Sequence, residues 1–160
     1  MMMTRETMAF VDEWRLGHIA TIGPQGPNVS PKGTFQALDA DTLAFAEIRS
    51  PQTKTNLAHD PRVEVNMVDV FSRKGARFRG HARFEGPETD TYTALTPRWA
   101  GIFGADLAQK FRGFVLIRLD SVKPLTTPAY DVGATEMELR RAYLERFTAM
   151  QAQVLDGTGT

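Results

Sequence analysis

The chain has 160 residues, of which 42% are hydrophobic and 24% are charged, values typical of a folded domain rather than a disordered segment. Its 19 basic and 19 acidic side chains balance, which argues against a general nucleic-acid binder. Cysteine is absent, so disulfides, thiolate catalysis and cysteine metal sites are excluded. No apolar run approaches the roughly 20 residues of a membrane span and no signal peptide is visible, so we expect a soluble cytoplasmic protein.

Turn residues divide the chain into short segments with strand or helix periodicity. Alternation and short apolar runs predict extended segments at residues 18–22, 29–36, 42–48, 62–70, 77–84 and 111–119, with a turn at 23–28. Helical spacing and capping residues predict helices at 4–16 (ended by Gly17), 50–59, 86–96 (ended by Pro97) and 135–152. We therefore expect a mainly β fold, a mixed and mainly antiparallel β-barrel with helices at its margins. It forms one domain over 1–160, with helix 135–152 as a C-terminal appendage.

The segment with the clearest chemistry lies where a strand meets the helix that begins at Ser50. The first N–H groups of a helix lack intrahelical partners and, with the positive end of the helix dipole, favour an anion. Arg49 and Lys54 can add charge-assisted hydrogen bonds. The hydroxyls of Thr53 and Thr55 can donate as well. This combination predicts a phosphomonoester site; the alternative is an ordinary helix capped by Ser50 beside two solvated charges.

Two strands carry further candidate features. Residues 30–34 read Ser-Pro-Lys-Gly-Thr, and a proline and a glycine inside a strand weaken the ladder and allow a ligand to approach the backbone. The alternative is an edge strand with a bulge. The strand at 77–84 places Arg77, Arg79, His81 and Arg83 on one face, either as its solvated side or as an anion-binding surface. Its aromatic residues lie on the opposite face, so single-stranded nucleic acid is not expected there.

Metal-dependent and triad chemistry find little support in the sequence. His18, His59 and His81 lie far apart and show no zinc-type spacing, so no metal site is expected. No serine sits in a Gly-x-Ser-x-Gly elbow. No side chain is predicted as a catalytic acid or base, and the catalytic residues are unknown from sequence.

Several segments, taken in order, resemble the pyridoxamine 5′-phosphate oxidase-like family of FMN-binding split β-barrels. The resemblance covers roughly residues 16–120 and rests on the joint order and spacing of its pieces. These pieces are His-Ile-Ala-Thr-Ile at 18–22, Val-Ser-Pro-Lys-Gly at 29–33, the stretch 43–57, Asp-Pro-Arg-Val-Glu-Val at 60–65, and Ala-Arg-Phe-Arg-Gly-His-Ala at 76–82.

The resemblance implies FMN as cofactor, held in a homodimer with the flavins at the interface. By position, Pro31, Lys32, Gly33 and Thr34 would run along the ring and ribityl chain. Glu47, Ile48 and Arg49 would line the site, and Gln52, Thr53, Lys54 and Thr55 would surround the phosphate. Residues of the partner should complete each site, with Trp99 and the basic strand face as candidates.

The true pyridoxamine phosphate oxidases carry a C-terminal Arg- and Trp-containing segment that this tail lacks, which argues against vitamin B6 oxidation. The resemblance therefore implies an FMN-dependent oxidoreductase acting on an unknown small molecule, with NAD(P)H as a candidate reductant. One alternative is an F420-dependent reductase, in which Arg73, Lys74, Arg77 and Arg79 would hold the acidic tail of the deazaflavin. Another is a non-catalytic protein that binds flavin or haem.

Overall fold

A computed structural model describes residues 2–157, which form five α-helices and seven strands. In chain order these are α1 (Arg5–Trp14), β1 (Gly17–Gly23), β2 (Gly26–Lys32), β3 (Gln36–Asp39), β4 (Thr42–Glu47), α2 (Pro51–His59), β5 (Arg62–Val68), β6 (Gly75–Glu85), α3 (Asp90–Phe103), α4 (Ala105–Ala108), β7 (Gly113–Leu125) and α5 (Glu136–Leu155). None of these helices is both long and apolar enough to span a membrane.

The seven strands form one sheet in the order β2-β1-β5-β6-β7-β4-β3. The pairs β1–β2, β1–β5, β3–β4 and β4–β7 are antiparallel. A two-residue turn joins β1 to β2 and pairs Gly23 with Gly26, whereas α2 lies between β4 and β5, and α3 and α4 lie between β6 and β7. The prediction of a mainly antiparallel β fold with flanking helices is confirmed.

Two clusters of buried side chains stabilise the strands. In one, the rings of Phe35 and Phe45 meet edge to face at 5.1 Å, and Phe78 of β6 is fully buried. In the other, Trp99 packs against Phe114 with ring centroids 5.0 Å apart. Along β6 buried and exposed residues alternate as predicted, and residues 114–117 of β7 are buried on both faces.

The predicted continuous strand at 29–36 is wrong, because the chain changes pairing partner within it. Strand β2 ends at Lys32, and β3 begins at Gln36 to pair with β4 instead of β1. Between them the Phe35 N–H donates to the carbonyl of Arg15 at 3.0 Å, outside any strand ladder. A local alternation pattern contains no information about which strand each half will pair with.

The first helix is also shorter than predicted, and Gly17 does not end it. Helix α1 stops at Trp14, and Arg15 adopts a left-handed conformation with φ 57° while its N–H still bonds Val11. Gly17 begins β1, where an added Cβ would lie 2.8 Å from side-chain atoms of Phe35. The glycine therefore serves close packing rather than helix termination. Strand β5 likewise ends at Val68, two residues before the predicted end.

Proline 97 does not end the third helix, contrary to the sequence-based expectation. Helix α3 begins later than predicted, after the cap Thr89, and continues through Pro97 to Phe103. The proline removes one backbone donor, which normally destabilises a helix by about 3 kcal/mol. The turn beyond it contains Trp99, which is fully buried, so hydrophobic burial offsets that cost.

The described residues divide into two compact units. The first takes in residues 2–67 and 76–123, and the second takes in residues 68–75 and 124–157. Both hydrophobic clusters belong to the first unit. One domain with a C-terminal helical appendage stays a prediction.

The second unit is held together by polar contacts to the short segment that follows β5. Asp69, almost fully buried, lies 2.7 Å from the guanidinium of Arg140 on α5. The hydroxyl of Tyr130 donates to the carbonyl of Ser72 at 2.6 Å. The predicted capping box at the start of α5 is confirmed, with Thr135 and the side chain three residues later each bonding the other's backbone N–H.

Candidate functional site

A cavity of about 220 Å³ lies where the ends of β2 and β4 meet the turn that leads into α2. Much of the predicted cofactor site converges here, although its two halves are more than ten residues apart in sequence. The lining residues are Ser30, Pro31, Lys32, Gly33, Thr34, Ala46, Ile48, Arg49 and Ser50. No carboxylate is among them, and the cations Lys32 and Arg49 favour an anion in the cavity.

Thr34 joins three elements at the base of this cavity. Its buried hydroxyl donates to the carbonyl of Ala46 and accepts from the Ala46 N–H, both at 3.1 Å. Its own carbonyl accepts a 2.8 Å hydrogen bond from the indole N–H of Trp99. Trp99 is fully buried within its own chain, where it supports Thr34, and its contribution to the site of a partner subunit stays a prediction.

Lys32 brings a largely buried amino group to the same cavity. Its Nζ donates to the hydroxyl of Ser30 at 2.6 Å and lies 5.8 Å from the centre of the Phe45 ring. Burial lowers the pKa of Lys32 from its usual 10.5, and the nearby carboxylate of Glu47 opposes that shift. The remaining Nζ protons can donate to an acceptor in the cavity.

Glu47 was predicted to line the site, but it lies beneath the turn instead. Its side chain is 4% exposed and accepts hydrogen bonds from both the backbone N–H and the hydroxyl of Ser50. Ser50 therefore occupies the N-cap position of α2 without making the side-chain cap predicted for it. The turn closed by Glu47 holds Arg49 exposed at the cavity, and no ion pair to Arg49 is found within residues 2–157.

The predicted phosphate residues of α2 occupy the first turns of that helix. Gln52, Lys54 and Thr55 are exposed and Thr53 is buried; none of the four lines the 220 Å³ cavity. The first intrahelical bond runs from the Lys54 N–H to the carbonyl of Ser50, so the N–H groups of Gln52 and Thr53 precede the helical ladder. The Lys54 ammonium lies 4.2 Å from the centre of the Phe84 ring.

Sequence reasoning missed Asn56, which fixes α2 against β1. Its buried amide donates to the hydroxyl of Thr21 at 2.9 Å and accepts from the Gln52 side chain at 2.7 Å. A Cβ added to Gly23 would lie 2.0 Å from the Asn56 side-chain oxygen, so the glycine makes room for this contact. The available signal was a polar residue on the helix face that also carries Leu57. Asparagine is mostly exposed in proteins, so a buried position is unusual for it.

The basic face of β6 is exposed as predicted and its charges are largely paired. Arg77 and Arg79 both contact Glu64 on β5, at 3.2 and 2.8 Å. His81 lies 3.0 Å from Asp120 on β7. This observation favours the solvated-face interpretation, because each cation already has an anionic neighbour. Within the described part of the chain, no group of three or more potential metal ligands converges.

Comparison with known proteins decides the family. A family model described as "Pyridoxamine 5′-phosphate oxidase" matches residues 3–123. This chain belongs to that family. The match spans every strand of the sheet except the last residues of β7, and it contains both halves of the cavity. The resemblance drawn from the sequence is confirmed.

Several solved structures share the fold of this chain. HupZ of Group A Streptococcus is 25% identical with a TM-score of 0.68, covering 79% of this chain and 96% of its own. An FMN-binding protein from Syntrophomonas wolfei is 11% identical with a TM-score of 0.62, covering 76% and 84%. HutZ, the heme storage protein from Vibrio cholerae, is 22% identical with a TM-score of 0.59, covering 77% and 94%. The predicted split-barrel fold class is confirmed. No curated protein matched significantly.

Proposed function

We propose that this chain is an FMN-dependent oxidoreductase that works as a cytoplasmic homodimer, with a small-molecule substrate and NAD(P)H as a candidate reductant. The observation that carries the proposal is the cavity at the ends of β2 and β4, which places the cation of Arg49 beside the start of α2. A helix N-terminus and an unpaired guanidinium are the features that favour a phosphate group.

Residues that line the cavity and residues of the adjoining first turns of α2 would together hold FMN. The backbone N–H groups of Gln52 and Thr53, with the side chains of Arg49, Lys54 and Thr55, would hold the phosphate. The segment 31–34 would follow the ribityl chain and ring, where Gly33 leaves open space because nothing lies within 4 Å of a Cβ added there. FMN, when bound, supplies the hydride chemistry.

The chain's own residues would bind and orient this group. Lys32 can donate a hydrogen bond to it, and its lowered pKa makes that amino group easier to deprotonate than an exposed lysine. Thr34, held by Ala46 and Trp99, gives the wall beside it a defined position. We assign no catalytic acid or base to a side chain.

The size of the cavity supports the homodimer in this proposal. About 220 Å³ lies below the 300–1,000 Å³ typical of pockets that enclose a whole small ligand. One chain would therefore enclose part of the flavin, and a second copy would cover the rest. Light scattering of the purified protein measures this directly: a monomer at micromolar concentration with bound FMN would contradict the dimer.

The absorbance spectrum of the purified protein is the primary test. A flavin spectrum, with FMN released on denaturation, is expected; a preparation that is colourless and does not quench the fluorescence of added FMN contradicts the proposal. A haem spectrum would instead favour a heme storage protein like HutZ, which resembles this chain in fold alone.

An oxidoreductase also requires turnover. Flavin that is reduced by NADH or NADPH and reoxidised by an acceptor therefore separates an enzyme from a flavin-binding protein.

The F420 alternative receives less support from the structure. Two of the cations assigned to the acidic tail, Arg77 and Arg79, already share Glu64. An added polyanion would have to compete with that carboxylate. Titration with both cofactors tests this directly, because tighter binding of F420 than of FMN would reverse the assignment.

A further inference from the structure

A second, larger cavity adjoins the proposed flavin site. Its volume is about 700 Å³, and it shares Ile48 and Arg49 with the smaller cavity. Its other lining residues are Gln109, Lys110, Phe111 and Arg112, from the segment that joins α4 to β7. Three cations thus line one cavity, and no carboxylate lines it.

The segment 109–112 is held in place by its backbone. The N–H of Arg112 donates to the carbonyl of Glu47 at 2.8 Å, directly beside the turn that carries Arg49. The N–H of Lys110 donates to the carbonyl of Leu107 at 2.9 Å. Because the main chain of both cationic residues is held in place, only their side chains have to be ordered when a ligand binds.

Phe111 anchors the middle of this segment. Its side chain is 5% exposed and its ring lies 5.8 Å from that of Phe114. The hydroxyl of Tyr92 donates to its carbonyl at 3.2 Å. With Phe111 packed inward, the flanking residues Lys110 and Arg112 are both exposed and line the same cavity.

Within residues 2–157 Arg49, Lys110 and Arg112 have no anionic partner, unlike most other arginines of the first unit. Arginines on the strands pair with carboxylates, as Arg79 does with Glu64 and Arg118 with Asp41. Over residues 2–157 no ion pair is found for Arg49, Lys110 or Arg112. Three uncompensated charges at one cavity repel one another, and a bound anion relieves that repulsion.

We infer that this cavity is a second anion-binding subsite, which takes the phosphate group of a small molecule other than the flavin. A volume of about 700 Å³ falls within the 300–1,000 Å³ typical of pockets for nucleotide-sized ligands. Guanidinium groups suit phosphate because they offer paired N–H donors. Beside the proposed FMN site, such a group would belong to a phosphorylated substrate or to the 2′-phosphate of NADPH. The anion-binding subsite itself does not depend on the proposed function; only the choice between these two sources of the phosphate rests on it.

Pyrophosphate is the probe for the test, because its binding does not depend on bound flavin. Calorimetric titration at low ionic strength compares the wild type with the double variant Lys110→Ala/Arg112→Ala. The matched control is Arg5→Ala/Lys123→Ala, which removes the same charge from exposed residues outside both cavities. We expect the first variant to bind pyrophosphate at least about 10-fold more weakly, as loss of charged hydrogen bonds predicts, and the control to change little.

Several outcomes would overturn the inference. They are absence of pyrophosphate binding to the wild type, equal weakening in the two double variants, and a loss of FMN affinity in Lys110→Ala/Arg112→Ala as large as the loss for pyrophosphate. That last result would assign the cavity to the flavin itself. A protein that binds pyrophosphate but no FMN would leave the subsite standing while the proposed function fails.

Titration with NADPH and NADH identifies the source of the phosphate. A preference of about 10-fold or more for NADPH that disappears in Lys110→Ala/Arg112→Ala assigns the cavity to the 2′-phosphate of the reductant. Equal affinities for the two, together with specific loss of pyrophosphate binding, assign it to a phosphorylated substrate. Both results support the subsite.

Discussion

The carboxylate of Glu47 accepts a 2.9 Å hydrogen bond from the hydroxyl of Ser50 and a second from the Ser50 backbone N–H. Glu47 is the last residue of β4, and Ser50 directly precedes α2. The two bonds close a tight turn, and Arg49 lies inside it. The backbone position of Arg49, which lines both cavities, therefore depends on a buried carboxylate that need not contact any ligand.

Replacing Glu47 should weaken both the fold and the flavin site. Glu47→Ala leaves the Ser50 donors without their acceptor, so we expect a loss of about 1–3 kcal/mol in the free energy of unfolding. FMN affinity should fall as well, because the turn that carries Arg49 loses its closure. Urea unfolding and FMN fluorescence titration measure the two effects. Ser50→Ala keeps the backbone bond and should cost less, about 0.5–1.5 kcal/mol; a larger effect from Ser50→Ala would refute this account of the turn.

Removing the charge of Lys54 should weaken the binding of FMN more than the binding of riboflavin. A hydrogen bond to a charged group contributes about 1.5–3 kcal/mol, which corresponds to roughly a 10- to 100-fold loss of FMN affinity in Lys54→Ala. Riboflavin lacks the phosphate, so its affinity should change little. Fluorescence quenching reports both constants. Lys123→Ala, outside the proposed site, is the control, and equal effects of the two substitutions on FMN would mean that the phosphate site is misplaced.

Two glycines near the cavity should respond differently to alanine. A Cβ at Gly33 meets nothing within 4 Å, so Gly33→Ala should fold normally and lose FMN affinity only if the flavin approaches this backbone. A Cβ at Gly23 would lie 2.0 Å from the Asn56 side chain, so Gly23→Ala should lower stability and displace α2. Thermal unfolding together with FMN titration separates the two. Unchanged FMN affinity in a folded Gly33→Ala protein would remove residues 31–34 from the site.

The contacts of α5 should weaken in acid because of Asp69. Burial alone raises the pKa of this carboxyl, but hydrogen bonds from the Ser72 hydroxyl and from the N–H groups of Phe71 and Ser72, with the Arg140 guanidinium, outweigh it and hold the pKa below 3.8. A lowered pKa in the folded state stabilises the protein above the unfolded pKa. That contribution is lost as the pH falls from about 4 through the folded value.

Hydrogen exchange in α5 measures this effect. We expect exchange to accelerate below about pH 4 beyond its intrinsic pH dependence, and Asp69→Asn to show fast exchange already at neutral pH. Asp60→Asn is the control. The Asp60 pKa is lowered to about 2 by hydrogen bonds from Arg62, so this carboxyl also titrates in acid, but it belongs to the other compact unit. Similar exchange in Asp69→Asn and the wild type at neutral pH would show that this carboxylate does not hold α5.

Local patterns predicted much of the secondary structure. The alternation of β6, the buried run of β7 and the capping box of α5 depend on residues close in sequence, and all were confirmed. The errors occurred where a distant contact outweighed a local preference. Burial of Trp99 carries α3 past Pro97, and a change of strand pairing splits the predicted strand at 29–36.

The sequence by itself determined most of the strands and helices along the chain, the family to which it belongs, and the cations around Ser50. Those features depend on residue types at short, fixed spacings along the chain. Only the tertiary structure decided that residues 30–34 meet residues 46–50 at one cavity, and that Lys110 and Arg112 join Arg49 at the next. Sheet pairing and burial bring these residues together across long stretches of chain, and neither leaves a local signal.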